Sequence, residues 1–301
     1  MDDAGPPRHW SVIGPVASAA LDFASRSARP NPLTEADLAG LTGDPAPGEL
    51  VFWAAGCASC HMAAGARGEA RLVLSGGQRF PSAFGTFIAP NISQDPAQGI
   101  GTWTLLDLAN ALTRGVSPEG THYYPALPYA SYARMDLRDV ADLYAFLKTL
   151  PADATPSQPH EVRFPYSIRA GIGGWKLLYL SKDWAVPGNL APTATRGRYI
   201  AEAMAHCGEC HTQRNLLGAM DTARWLGGAP NPSGDGRIPN ITPGKLGWTS
   251  GDIVRFLTTG FTPEYDSVGG LMADVVENMA RLPESDRLAV AEYLLAVATV
   301  K

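Results

Sequence analysis

The four cysteines of this chain constrain its fold more than any other feature. They occur in two short motifs, Cys57-Ala-Ser-Cys60-His61 and Cys207-Gly-Glu-Cys210-His211, in which a histidine directly follows each pair. At this spacing two thiols reach the two vinyl groups on one edge of a porphyrin, and the adjacent imidazole lies beneath the ring, where it binds iron. The sequence therefore predicts two covalently bound haem c groups, held by the four cysteines, with His61 and His211 as iron ligands.

Other uses of paired cysteines explain these motifs less well. A thioredoxin-type redox pair belongs to a βαβ unit, and the sequence has no such pattern. A four-cysteine zinc site needs its pairs close in sequence, whereas these begin at positions 57 and 207. Disulfides within each pair are strained and leave both histidines unexplained.

Composition excludes several classes of protein. The 301 residues carry a formal net charge of −5, which argues against a nucleic-acid partner. No apolar run reaches the roughly 18 residues that a spanning helix needs, so we expect no transmembrane segment in this chain. Haem attachment through thioethers takes place outside the cytoplasm. We therefore expect a periplasmic protein whose leader peptide is absent from this sequence.

The sequence also repeats itself well beyond the cysteines. The matching segments, first copy before second, are Leu74-Ser-Gly-Gly77 and Leu226-Gly-Gly228, Pro90-Asn-Ile-Ser93 and Pro239-Asn-Ile-Thr242, and Gly101-Thr-Trp103-Thr104 and Leu246-Gly-Trp248-Thr249. A short amphipathic helix follows each tryptophan and ends at Gly115 or Gly260, since glycine favours the left-handed stop of a helix. A duplicated domain is the simplest explanation.

Each copy reads as a helix before the cysteines, a long Gly- and Pro-rich loop, a middle helix and a stronger final helix. We predict an all-α fold of two tandem domains, with an N-terminal extension at 1–44, the first domain at 45–152, a connector at 153–190 and the second domain at 191–301. The aromatic residues of the connector are predicted to dock against the domains: Phe164, Tyr166, Trp175, Tyr179 and Trp184.

This layout resembles the cytochrome c fold, twice over, and in detail the multihaem cytochrome c subunits of periplasmic dehydrogenases, of the quinoprotein alcohol and gluconate types. The segments that carry the resemblance are Tyr124-Pro-Ala-Leu-Pro-Tyr129, Phe164-Pro-Tyr-Ser-Ile-Arg169 with Trp175, Ala205–Asn215 and Gly269-Gly-Leu-Met272. Many such relatives have three domains and a C-terminal membrane-binding helix, whereas this sequence has two domains. The resemblance implies electron transfer from a partner dehydrogenase subunit to another cytochrome or a terminal oxidase, with no catalytic residue in this chain.

The second axial ligand of each iron decides between electron transfer and catalysis, because a methionine thioether closes the iron and raises its potential. In the second domain we favour Met272, which follows two glycines in a flexible loop, over Met279, which we interpret as packing. In the first domain, the resemblance places the methionine either in the slot that Leu127 occupies or at the position of Met135, and leucine cannot bind iron. Met135 is then the favoured ligand and His122 the alternative.

A hydrogen bond is also expected to orient the imidazole of each motif histidine. We expect backbone carbonyls near Pro90 and Pro239 to accept it. Trp103 and Trp248 are expected to pack near haem or in the core. The alternative function is a dihaem enzyme: a peroxidase needs an open iron, and a thiosulfate dehydrogenase of this kind uses a further cysteine ligand that this sequence lacks.

Overall fold

A computed structural model describes residues 32–232, 234 and 236–301 of the chain. Most of the predicted N-terminal extension, residues 1–31, therefore lies outside the described residues. The protein is mostly helical, with short helices and few strands, which confirms the helical character predicted from the sequence. We refer below to residues 45–151 as the first half and to residues 192–301 as the second half.

Residues 32–191 carry six α-helices, two 3-10 turns, of which the first precedes the first half, and three strands. The 3-10 turns are Glu35–Leu38 and Gly68–Leu72; the helices are α1 Pro45–Ala54, α2 Cys57–His61, α3 Leu105–Arg114, α4 Tyr129–Tyr132, α5 Leu137–Leu147 and α6 Ala170–Tyr179; the strands are β1 Arg79–Ser82, β2 Gly85–Ile88 and β3 Glu161–Val162.

The second half repeats this order of elements. Its helices are α7 Pro192–Arg198, continued by a π-helical turn at Tyr199–Met204, α8 Gly208–His211, α9 Pro243–Leu246, α10 Ser250–Thr259, α11 Leu271–Met279 and α12 Glu284–Ala296; it also has a 3-10 turn at Thr222–Arg224 and two short strands, β4 Ala229–Pro230 and β5 Arg237–Ile238.

The first and last helices of each half cross in close contact, and a glycine makes each crossing possible. A Cβ atom on Gly48 of α1 would overlap the carbonyl oxygen of Asp142 on α5. A Cβ atom on Gly197 of α7 would overlap the carbonyl oxygen of Ala289 on α12 in the same way. The backbones of the two helices can approach this closely only where a side chain is missing, so the crossing fixes the frame of each half.

The middle helix of each half begins and ends with the same local interactions. Thr104 and Asp107 cap the start of α3 reciprocally, and Thr249 and Asp252 do so for α10. The side-chain hydroxyl of each threonine binds a free backbone N–H, and the aspartate returns a bond to the threonine N–H. Both helices stop at a left-handed glycine, as the sequence predicts, with φ of 61° at Gly115 and 76° at Gly260.

Two small antiparallel sheets depart from the predicted all-α fold. Strand β2 pairs with β1 and also with β3 of the connector, so the connector extends a hairpin of the first half. The docking role predicted for the connector aromatics holds for Trp175, whose Nε1 donates to the Leu217 carbonyl oxygen at 2.9 Å. It is wrong for Phe164, which is 81% exposed.

Gly197→Ala should destabilise the protein, because the added methyl group has no room at the crossing of α7 and α12. We expect the free energy of unfolding to fall by about 1–3 kcal/mol in chemical denaturation of the holo-protein. Gly251→Ala in α10 is the matched control: its Cβ would meet no atom closer than 3.8 Å. The control should be neutral or stabilising by up to about 1 kcal/mol, and equal losses in both variants would contradict the crossing as the cause.

Candidate functional site

Each Cys-x-x-Cys-His motif forms a single helical turn entered through a left-handed residue. Gly56 precedes α2 with φ of 68°, and His206 precedes the second motif with φ of 42°. Residues three and four apart on a helix lie on the same face, so Cys60 and His61 share a side of α2 with Cys57. This local geometry brings both thiols and the imidazole of a motif to one surface.

Each motif histidine is oriented by a backbone carbonyl, as predicted from the sequence. The Nδ1 atom of His61 lies 2.8 Å from the Pro90 carbonyl oxygen, and that of His211 lies 2.9 Å from the Pro239 carbonyl oxygen. A carbonyl only accepts, so the hydrogen is on Nδ1 and the Nε2 lone pair remains for a metal. Burial lowers the pKa of both imidazoles, which favours the neutral form that binds metals.

A glycine in each half lets this carbonyl approach. Gly76 donates its N–H to the His61 carbonyl oxygen at 2.7 Å, and Gly228 donates to the His211 carbonyl oxygen at 2.7 Å. Both glycines have positive φ, 74° and 81°. A Cβ atom on Gly76 would lie 2.6 Å from the Pro90 carbonyl oxygen. The repeated glycines are therefore required by the contact that orients the histidines.

The four thiols are unpaired, so neither motif is closed by a disulfide. Burial raises the pKa of Cys57 to about 12 and that of Cys207 to about 12. Among the described residues, no group of three or more His, Cys, Asp or Glu side chains is arranged to hold a metal ion, so the zinc alternative has no site there. Two free thiols beside an imidazole with an available Nε2 fit a covalently attached haem, whose iron would bind that nitrogen.

The two motifs meet across the boundary between the halves through reciprocal contacts. The residue before the second cysteine of each motif forms a hydrogen bond with the other half. Its partner lies on α11 for the first motif and on α4 for the second motif. Asn278 on α11 donates from Nδ2 to Ser59 Oγ at 2.8 Å, and Ser131 on α4 donates to Glu209 Oε1 at 3.3 Å. The repeated halves therefore face each other with their attachment motifs side by side.

Residues that precede the motifs occupy the centre of this boundary. The Ala55 carbonyl oxygen accepts from Tyr132 Oη at 2.8 Å and lies 3.3 Å from His206 Nε2. The rings of Tyr132 and His206 stand edge to face, with centroids 5.6 Å apart. Burial, together with the nearby Cys210, raises the pKa of Cys60 to about 12. The cysteines of the two motifs thus lie close enough to influence one another.

A buried arginine of the first half reinforces this boundary. Arg71 is fully buried, donates to Asn278 Oδ1 at 2.7 Å and pairs with Glu277 at 2.8 Å. Both partners are on α11, and the guanidinium also lies 5.4 Å from the centroid of the Trp53 ring. A buried charge is tolerated only when it is paired and hydrogen-bonded, so this contact fixes the relative position of the halves. The contact of Arg71 with α11 was not predicted, because no local sequence pattern indicates a contact between segments far apart in the chain.

The candidate methionine ligands lie at different structural positions. Met135 is buried just before α5, between Tyr132 and Leu137. Met272 is the second residue of α11 and not part of a flexible loop, because the helix begins directly after its N-cap residue Gly270, which has φ of 60°. Met279, at the other end of α11, is buried in the core, as predicted. The expected loop was wrong because the two glycines mark the start of a helix.

The alternative ligand His122 has its Nδ1 atom occupied by a buried lysine. Lys176 of α6 donates to the carbonyl oxygens of Arg114 at 2.8 Å and Gly115 at 2.5 Å, and its Nζ lies 3.0 Å from His122 Nδ1. Burial lowers the pKa of Lys176 to about 7, and its neutral amine can both donate and accept, so this contact does not fix the tautomer of His122. It holds the buried His122 between α6 and the first half. Met135 stays the predicted ligand of the first haem and His122 the alternative.

The predicted tryptophans pack against the hydrophobic core of the described residues. Trp103 and Trp248 are partly buried against it. The Trp103 carbonyl oxygen accepts from Tyr144 Oη at 2.9 Å, and the Trp248 ring stands 5.1 Å from that of Phe256. Trp248 therefore packs against the middle helix α10, whereas the backbone at Trp103 is tied to the final helix α5.

Comparison with known proteins places these features in a family. The family model for cytochrome c matches residues 45–151. A diheme cytochrome c-type protein of Cereibacter sphaeroides is 58% identical over 263 residues, which cover 87% of this chain and 89% of that protein.

Cytochrome subunits of dehydrogenases are also similar to the chain. The fructose dehydrogenase cytochrome subunit of Gluconobacter japonicus is 36% identical over 83% of this chain and 52% of its own length. The cytochrome c subunit of the quinone alcohol dehydrogenase of Gluconobacter oxydans is 31% identical over 97% of this chain and 60% of its own length. The chain therefore spans only about half to three fifths of these two relatives.

Gly76→Ala should raise the reduction potential of one haem, since the added methyl group pushes the Pro90 carbonyl away from His61 and a weaker hydrogen bond makes the imidazole less basic. We expect a shift on the order of tens of millivolts in a potentiometric titration followed by visible spectroscopy. Gly65→Ala is the matched control, because Gly65 has φ of 79° and a Cβ there would meet nothing within 4 Å. An equal shift in the control would show that backbone strain alone is responsible.

Proposed function

Because the chain belongs to the family of dihaem c-type cytochromes, we propose that it is a periplasmic electron-transfer subunit. It accepts electrons from a partner dehydrogenase and passes them to another cytochrome or a terminal oxidase. The names of the related subunits, which belong to alcohol, fructose and gluconate dehydrogenases, support the choice of a dehydrogenase as donor.

The observation that carries this proposal is the meeting of the two attachment motifs. Ser59 and Glu209, one in each motif, both bond to the opposite half. Two haems held side by side suit a relay, because a fixed intramolecular step does not depend on collision between proteins.

Two tandem cytochrome c domains, each with one haem, account for the repeat. Within residues 45–152 and 191–301 the same helix crossing, capped middle helix and histidine–carbonyl bond occur twice. When bound, each haem supplies a one-electron iron couple whose potential depends on the axial ligands and on the hydrogen bonds around them. We assign Cys57, Cys60 and His61 to the first haem and Cys207, Cys210 and His211 to the second.

The protein residues set the conditions for transfer rather than perform chemistry on a substrate. Pro90 and Pro239 hold the proximal imidazoles in one tautomer. Met135 and Met272 are the proposed distal ligands, and their thioethers would close both irons to substrates. Within the part of the chain that the structure describes, no helix is long and apolar enough to cross a membrane.

Met272→Ala should open the iron of the second haem, lower its potential and remove the methionine–iron charge-transfer absorbance of that site. Met279→Ala is the control, because Met279 packs in the core. It should reduce stability by about 2–5 kcal/mol and leave the absorbance intact. The opposite pattern would move the assignment to Met279. The pair Met135→Ala and His122→Ala applies the same test to the first haem.

The proposed function is tested with purified holo-protein. The intact mass of this protein should exceed that of the polypeptide by two haems. The holo-protein should be reduced rapidly when a dehydrogenase encoded beside its gene and the substrate of that enzyme are both present, and slowly when either is omitted. Stopped-flow absorbance measures the reduction. Steady turnover of thiosulfate or peroxide by the isolated chain would instead support the alternative of a dihaem enzyme.

A further inference from the structure

Seven large apolar side chains are exposed on the connector and on the loop that follows the second motif. We call this set the apolar face; its members are Phe164, Tyr166, Ile168, Leu177, Leu178, Leu216 and Leu217. Leu216 is 95% exposed, Leu178 71% and Leu177 70%. Single exposed apolar residues are ordinary, but a contiguous group of this kind marks an interaction surface.

Direct contacts join the two parts of the apolar face. Trp175 of α6 donates to the Leu217 carbonyl oxygen at 2.9 Å. Phe84 bridges the remaining distance: its ring lies 4.7 Å from that of Tyr166, and a Cβ on Gly218 would be 3.0 Å from it. The connector and the loop at 215–218 therefore form one surface.

Hydrogen bonds with Asn215 hold the backbone of the loop that carries Leu216 and Leu217. Asn215 Oδ1 accepts from the Leu217 N–H at 2.9 Å and from the Ala219 N–H at 3.1 Å, and the Gly218 N–H donates to the Asn215 carbonyl oxygen at 2.9 Å. These bonds fix the backbone of the loop, which lowers the entropy cost of binding a partner there.

Helix α6 is held just as firmly from its inner side. Lys176 is buried and bonds to three groups of the first half, which keeps its neighbours Leu177 and Leu178 on the outer side of the helix. The apolar face is thus a preformed surface, and its loop begins only four residues after His211.

We propose that the apolar face is the docking surface for the catalytic subunit of the partner dehydrogenase and that electrons enter at the haem of the second motif. This inference rests on the proposed function. The seven side chains expose on the order of 800 Å², which is the share that one partner contributes to a stable interface of standard size. An electron donor must dock close to the haem that it reduces, and the loop of the apolar face lies close to His211 in the sequence.

The charges around the apolar face favour a protein partner over the other possible occupants. Arg163 and Arg169 are exposed at its aromatic end, so a partner surface with acidic residues around an apolar centre is complementary. The chain as a whole carries a net charge of −5, which disfavours adsorption to anionic lipid. A second copy of the chain would bring the same arginines together if it bound through this face.

The first test is photo-cross-linking of the holo-protein in its own host. A benzophenone amino acid at position 216 or 178 should give a covalent product containing the catalytic subunit of a dehydrogenase, identified by mass spectrometry. The control position is Tyr265, which is 79% exposed in the second half and outside the apolar face. A product with a second copy of the chain, with lipid, or equally abundant from position 265 would overturn the proposal.

The second test measures electron entry. Leu178→Asp and Leu216→Asp should each slow reduction by the dehydrogenase and its substrate about tenfold or more, whereas Tyr265→Asp should stay close to wild type. Both haem potentials and the extent of reduction by dithionite should not change, which shows that the variants are folded. An unchanged rate in both leucine variants overturns the docking surface alone. If dithionite reduces the wild-type protein but the dehydrogenase does not, the proposed function fails as well.

Discussion

The hydrogen bond between each motif histidine and a proline carbonyl is the constraint on which the rest of the structure depends. It joins His61 to Pro90 and His211 to Pro239, so the long loop after each motif must fold back beneath the imidazole. Asn91 and Asn240, the next residues, then bond to the backbone that follows the final helix of their own half. One local contact thereby ties the attachment motif, the Gly- and Pro-rich loop and the helical frame together.

Duplication of this unit explains why the motifs lie side by side. Ser131 on α4 of the first half bonds to the second motif, and Asn278 on α11 of the second half bonds to the first motif. Because of these reciprocal contacts, the boundary between the halves is part of both attachment sites. The buried Arg71 shows how closely the halves are joined, since its charge in the first half is compensated by Glu277 in the second.

Much of each half was predictable because it depends on local signals. The motif residues, the glycine stops at Gly115 and Gly260 and the final helices follow from spacing and from helix-capping chemistry. Helix α11 was missed because its starting glycines resemble a flexible loop. The small sheet between the connector and β2 pairs only two residues of β3, too few for a sequence pattern. Contacts across the boundary were unpredictable, because the position of one copy against the other depends on distant side chains.

We propose that the two attachment motifs form one path for electrons. Flash photoreduction of the oxidised holo-protein, followed by transient absorbance, measures how fast the two haems exchange an electron. If the motifs are joined as described, equilibration between the haems should be independent of protein concentration and should precede reduction of any external acceptor. A rate that rises in proportion to protein concentration would mean that electrons pass between molecules, and it would contradict the account.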